Sequence, residues 1–223
     1  MLIKILIPPV LAIALSFAQG CGSGFPNEPG LVKRLRVAAI VADKPEVKPG
    51  EIVRLTAYVI DPKTGRFGLT WGIEQDLKPL ILGEGQSLDW TAPAAETVQI
   101  IALYAQDETG DHEAAVKKIV VSNNPEPNRN PLCAIIAVPD PVIGVPVKGK
   151  VTLRMEATDP DPADQGNLRV AWMITRGGLS DDTDPVVVWT APSEPGFYTA
   201  YGAVRDMRGG VALSSVLLKV FRP

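Results

Sequence analysis

The chain has 223 residues, 46% of them apolar and 21% charged, with 20 glycines, 21 prolines and a formal charge of −3 at neutral pH. Its basic residues are dispersed, which speaks against a nucleic-acid partner held by concentrated cationic surface. A single histidine, His112, rules out a multi-histidine metal centre, and the two cysteines, Cys21 and Cys133, leave neither half of the chain a bridging pair.

The N-terminal stretch reads as an address. MLIKILIPPVLAIALSFAQGCGSG places Lys4 ahead of an apolar run from Ile5 to Ala18. That run is shorter than the ~20 residues a spanning helix needs, and Pro8 and Pro9 disfavour a helix, so residues 1–20 read as a secretory signal peptide. Ala18-Gln19-Gly20-Cys21 resembles the lipobox of bacterial lipoproteins. The resemblance implies a covalent lipid such as palmitate on Cys21, which becomes the first mature residue. It also implies a bacterial cell-envelope address, with Gly22 directing the protein to the outer membrane. An ordinary secretory signal cleaved nearby is the alternative. Residues 21–33, with Gly22-Ser23-Gly24 after the cysteine, then form a flexible tether.

From residue 34 onward the apolar residues fall in short runs rich in Val, Ile and Thr, without sustained helical periodicity, so the fold class is all-β. In the first unit, residues 34–122, Val53, Leu55, Ala57 and Val59 alternate as on a half-buried strand. Trp71 in GLTWGI, Trp90 in WTAP and the turn LYAQDETGD follow, and AAVKKIVV closes the unit. Residues 123–131, rich in Pro and Asn, form an extended, semi-rigid linker. The second unit, residues 132–223, repeats the order: Val151, Leu153, Met155 and Ala157 alternate, then come Trp172, Trp189 in a second WTAP, and Asp206 at the place of Asp107. About seven short strands per unit, with turns every 8 to 12 residues, predict two tandem immunoglobulin-like β-sandwiches strung like beads on a stiff string.

The segments ATDPDPADQGNLRVAWMI, VVVWTAP and EPGFYTAYGAVRDMRGG resemble PKD-type and fibronectin-III-like domains of bacterial envelope proteins. By that resemblance Tyr198 makes a corner hydrogen bond that the first unit, with Gln99 there, lacks. Trp71 and Trp172 are expected as central plugs. Trp90 and Trp189 recur at one domain position, which favours packing over a sugar-binding platform.

Asp159, Asp161 and Asp164, with Asp181, Asp182 and Asp184 nearby, read first as solvated turn residues and in the alternative as a weak calcium site, since calcium takes six to eight oxygens. Cys133 reads as a small buried hydrophobe, or alternatively as a thiol for an intermolecular disulfide. His112 is a loop residue, not a general base. No enzyme activity and no cofactor beyond the Cys21 lipid are expected. The expected role is a membrane-anchored structural or protein-interaction module bound to other envelope or surface proteins; the alternative is a surface adhesin or glycan-binding accessory protein.

Overall fold

The computed structural model describes residues 29–75 and 78–223, in which strands form and helices do not. The predicted signal peptide and the predicted lipid site Cys21 lie outside the described residues. The first unit runs β1 (Arg36–Ala42), β2 (Glu46–Val47), β3 (Ile52–Ile60), β4 (Phe67–Gln75), β5 (Lys78–Glu84), β6 (Ser87–Thr91), β7 (Thr97–Asp107) and β8 (His112–Val121). The second runs β9 (Leu132–Val138), β10 (Val145–Pro146), β11 (Lys150–Thr158), β12 (Arg169–Ile174), β13 (Gly178–Leu179), β14 (Val186–Thr190), β15 (Gly196–Arg205) and β16 (Val211–Phe221).

Each unit is a two-sheet sandwich. In the first, a sheet of order β1-β3-β6 faces one of order β2-β8-β7-β4-β5; in the second, β13-β14-β11-β9 faces β10-β16-β15-β12. Pairing is antiparallel except where the two-residue strands β2 and β10 lie parallel to the last strand of their unit. This order is that of immunoglobulin-like and fibronectin-III-like sandwiches. Period-two alternation places Val53, Leu55 and Ala57 in the first core, and Val151, Leu153 and Met155 in the second.

The two WTAP segments do the same job. Trp90 pairs with Val53 and Trp189 with Val151. The following alanines donate to the residue just ahead of the partner strand, Ala92 N–H to Glu51 O before β3 and Ala191 N–H to Gly149 O before β11, both at 2.8 Å. Pro93 and Pro192 have no N–H to continue the ladder, and each strand stops.

The copies differ in one strand. β5 pairs with β4 and so widens the first unit's larger sheet, whereas β13 pairs with β14 in the opposite sheet. The second unit's β12 therefore has a free outer edge. The chain itself fills it: Leu31 bridges Ile174 in parallel, Val32 N–H donates to Ile174 O at 2.7 Å, and Ile174 N–H donates to Gly30 O at 2.9 Å. Asp182 Oδ2 accepts from Gly30 N–H at 3.1 Å.

Two sequence expectations are corrected here. The tether predicted to stay flexible through residue 33 is held at Gly30–Val32 as an added strand segment, because an unpaired ladder edge offers backbone partners. The two units are also not separate beads. β1 carries a bulge between Val37 and Ala39, and Ala38 there joins Val32, Ile60, Met173 and Ala203 in a buried apolar seam between the sandwiches, flanked by Tyr201 and Leu213. The linker is tied to both sides of that seam: Asn130 Nδ2 donates to Ala42 O at 2.8 Å, and its Oδ1 accepts from Val211 N–H at 3.0 Å.

Candidate functional site

Beside the seam, two turns of the second unit meet the linker. The loop after β11 opens with Asp159, whose Oδ1 accepts from Asp161 N–H at 2.8 Å, an Asx turn that Pro160 accommodates. Asp164 N–H then donates to Asp161 O at 2.9 Å. This folding brings one carboxylate oxygen from each of Asp159, Asp161 and Asp164 within 4.8 Å of the others. The turn from β15 to β16 contributes Asp206, whose Oδ1 accepts from the amides of Arg208 and Gly210 at 2.8 and 2.7 Å. The linker contributes Asn128, whose Nδ2 donates to Asp206 Oδ2 at 3.2 Å.

Asp159, Asp164 and Asn128 are 8%, 4% and 9% exposed. Among the described residues, Asp159 Oδ2, Asp164 Oδ2 and Asn128 Oδ1 have no hydrogen-bond donor. A buried polar atom left unpaired costs about 1–3 kcal/mol, more when charged. Two guanidinium groups reach the cluster. Arg129 donates to Asp161 through its backbone N–H at 2.7 Å and its Nε at 3.0 Å, which holds Asp161 below the usual carboxylate range. Arg208 Nη1 stands 3.8 Å from Asp164 Oδ2, while its Nη2 is shared with Glu126 at 3.5 Å and Glu46 at 3.9 Å. Burial pushes the Asp164 carboxyl upward; Arg208 opposes the shift, and Asp206, Asp159 and Asp161 add to it.

The same corner of the first unit is built differently. Asp61 stands where the second unit has Asp159, and Lys63 stands where it has Asp161. Lys63 Nζ lies 2.8 Å from Asp111 Oδ2, and this hydrogen bond raises its pKa. Asp61 is satisfied by Thr64 and by the amides of Lys63 and Gly65. One copy thus carries its own cation at this corner; the other presents a carboxylate.

Sequence reasoning placed the three aspartates together but missed Asn128, Arg208 and Lys117. Lys117 reaches from β8 across the seam to Gly209 O, and burial pulls its ammonium down to about 8 against the attraction of Asp206. The only sequence signal for Asn128 was its place in the linker. Asp181, Asp182 and Asp184 do not join the cluster. Asp181 caps its own turn through Thr183 and Asp184, Asp182 holds Gly30, and Asp184 O accepts from Trp172 Nε1.

All four tryptophans are interior: Trp71 and Trp189 are 0% exposed, Trp172 1% and Trp90 7%. Trp90 and Trp189 therefore offer no face to a sugar. Trp71 Nε1 donates to Gly85 O and Trp172 Nε1 to Asp184 O, both at 2.8 Å. Tyr198 donates its hydroxyl to Glu194 O at 2.9 Å and packs on Trp189. Cys133 lies half-buried on the inner side of β9 against the second core, and burial raises its thiol pKa, which disfavours the reactive thiolate. His112 is exposed beside Tyr104, with Nδ1 3.2 Å from Gly110 O.

No family model matches the chain, and no curated protein matches it. Solved structures resemble it at low identity. The fibronectin(III)-like modules of Clostridium thermocellum CbhA share 12% identity over 83% of this chain and 94% of theirs, with a TM-score of 0.34. The N-terminal Ig1-2 module of the Drosophila receptor protein tyrosine phosphatase DLAR shares 11% over 84% and 99%, with a TM-score of 0.35. SGBP-B of the Bacteroides ovatus mixed-linkage glucan utilization locus, solved with a mixed-linkage heptasaccharide, shares 13% over 85% and 48%, with a TM-score of 0.30. The immunoglobulin-like assignment rests on the strand order described above.

Proposed function

We propose that the protein is a lipid-anchored, non-enzymatic interaction module and spacer of a bacterial cell envelope, held at the outer membrane through acyl chains on Cys21. The observation that carries the interaction role is an open apolar sheet face. In the second unit the outer face of the β10-β16-β15-β12 sheet is covered by the seam at Tyr201, Ala203 and Leu213. On the corresponding sheet of the first unit, Val98, Ile100 and Val116 are exposed on the outer face of β7 and β8, with Ile81 of β5 across Gly72 of the intervening β4. Exposed contiguous apolar surface of this kind marks protein contact. A glycan-binding role has less support, because no tryptophan is left on the surface. Chemistry has little support either: a cleft of about 340 Å³ beside Val59, Phe67, Leu69 and Gln86 is lined by a single titratable residue, Glu84.

The test is fractionation of cells making the full chain, with chemical crosslinking on the intact membrane. Cys21→Ser is expected to move most of the protein from the membrane to the soluble fraction. Ile100→Lys with Val116→Lys is expected to leave membrane retention intact and abolish a crosslinked envelope partner. Unchanged retention of Cys21→Ser contradicts the anchor; an unchanged crosslink in the double lysine variant contradicts the docking face.

A further inference from the structure

The geometry points to a calcium ion bound between Asp159, Asp161, Asp164 and Asn128, pinning the linker to the second unit and so making the docked arrangement of the two sandwiches calcium-dependent. The donor set is all oxygen, which suits a hard cation and not a transition metal. Three carboxylates of one loop lie within 4.8 Å of one another, the linker amide Asn128 is held next to that loop by Asp206 and by its neighbour Arg129, and water completes the six to eight ligands calcium takes.

What lifts this above an acidic cluster is the state of the individual atoms. Asp159 Oδ2, Asp164 Oδ2 and Asn128 Oδ1 belong to side chains more than nine-tenths buried and have no hydrogen-bond donor among the described residues, Arg208 Nη1 standing 3.8 Å from Asp164 Oδ2. Such atoms are rare in folded proteins, and an ion coordinating all three satisfies them together. The internal repeat supplies an independent argument. Where this unit places Asp161, the first unit places the ammonium of Lys63, which pairs directly with Asp111 of its own corner. Arg129 and Arg208 do not substitute for it: Arg129 is committed to Asp161, and Arg208 is divided among Asp164, Glu126 and Glu46.

The coupling follows from connectivity. Asn128 is two residues from Asn130, which bonds to Ala42 of the first unit, and two from Glu126, whose N–H donates to Glu46 Oε2 at 3.1 Å. Asp206 belongs to the turn whose Gly209 carbonyl accepts from Lys117 of the first unit. A cation holding Asn128, which donates to Asp206, therefore fixes both ends of the polar clamp. Extracellular calcium modules bind in the range of about 10⁻⁴–10⁻³ M, so occupancy is set by the medium.

The full chain in detergent is titrated with calcium chloride and with a chelator, and read by thermal denaturation and by tryptic cleavage after Arg129. At about 10 mM calcium the Tm is expected to rise by about 3–10 °C. Cleavage after Arg129 is expected to slow by at least about tenfold, as mass action stabilises the closed linker. Asp164→Asn is expected to lose both responses. Asp161→Lys, which copies the first unit, is expected to stay folded in chelator and to show no calcium shift. No Tm change with calcium, or a full response in Asp164→Asn, overturns the site. A Tm rise with unchanged cleavage after Arg129 overturns the coupling.

Discussion

Replacing Trp172 with alanine is expected to cost the second unit about 3–5 kcal/mol, the range for truncating a fully buried aromatic side chain. The indole is 1% exposed at the centre of β12 and ties the sheet to the following loop through its bond to Asp184 O. Its ring also lies against Gly202 of β15, where an added Cβ would sit 3.3 Å from it, so the bare backbone there is part of the socket. Small domains have total stabilities of about 5–15 kcal/mol, so the loss takes a large share. Urea unfolding of the variant is expected to show a lowered midpoint for the second unit, and Trp172→Phe is expected to recover most of the difference. A loss below about 1 kcal/mol in Trp172→Ala would mean that the core is not organised around this residue.

Ala203→Asp is expected to separate the sandwiches without unfolding them. Ala203 is 1% exposed, yet it belongs to the seam and not to the second core. A carboxylate placed there faces Met173, Ile60 and Val32 with no donor, and a buried unpaired charge costs several kcal/mol. The second unit avoids that cost by undocking, because the opposite face of β15 keeps its own core contacts through Ala200 and Val204. Small-angle scattering is expected to show a larger radius of gyration while circular dichroism retains its β signature. An unchanged radius of gyration would contradict the seam as the contact that holds the units together.

The strands were legible because period-two alternation and the repeated WTAP are local properties: Val53 to Val59 and Val151 to Ala157 announce themselves within one strand length. The seam was not. Ala38 reads as one more apolar residue of β1, and only the bulge turns it outward. Leu31 and Val32 read as tether because their partner, Ile174, lies more than 140 residues away and is exposed to them only through β13 joining the other sheet. The candidate site was half legible. Asp159, Asp161 and Asp164 share one loop, whereas Asn128 and Asp206 enter from the linker and a distant turn, and a Pro/Asn-rich segment gives no local sign that one of its amides will be buried. The contrast between Lys63 and Asp161 was present in the aligned copies and acquires meaning once Lys63 is seen to pair with Asp111 while Asp161 joins two further carboxylates.

The two sandwiches form one docked body, closed by Gly30–Val32 lying along β12. Amide hydrogen exchange of the full chain tests it most directly, read at Val32, Ile174 and Val211, whose N–H groups donate to Ile174 O, Gly30 O and Asn130 Oδ1. Strong protection at all three, lost together in Ala203→Asp, is the predicted result. Exchange at all three as fast as at a freely fraying chain end would contradict it.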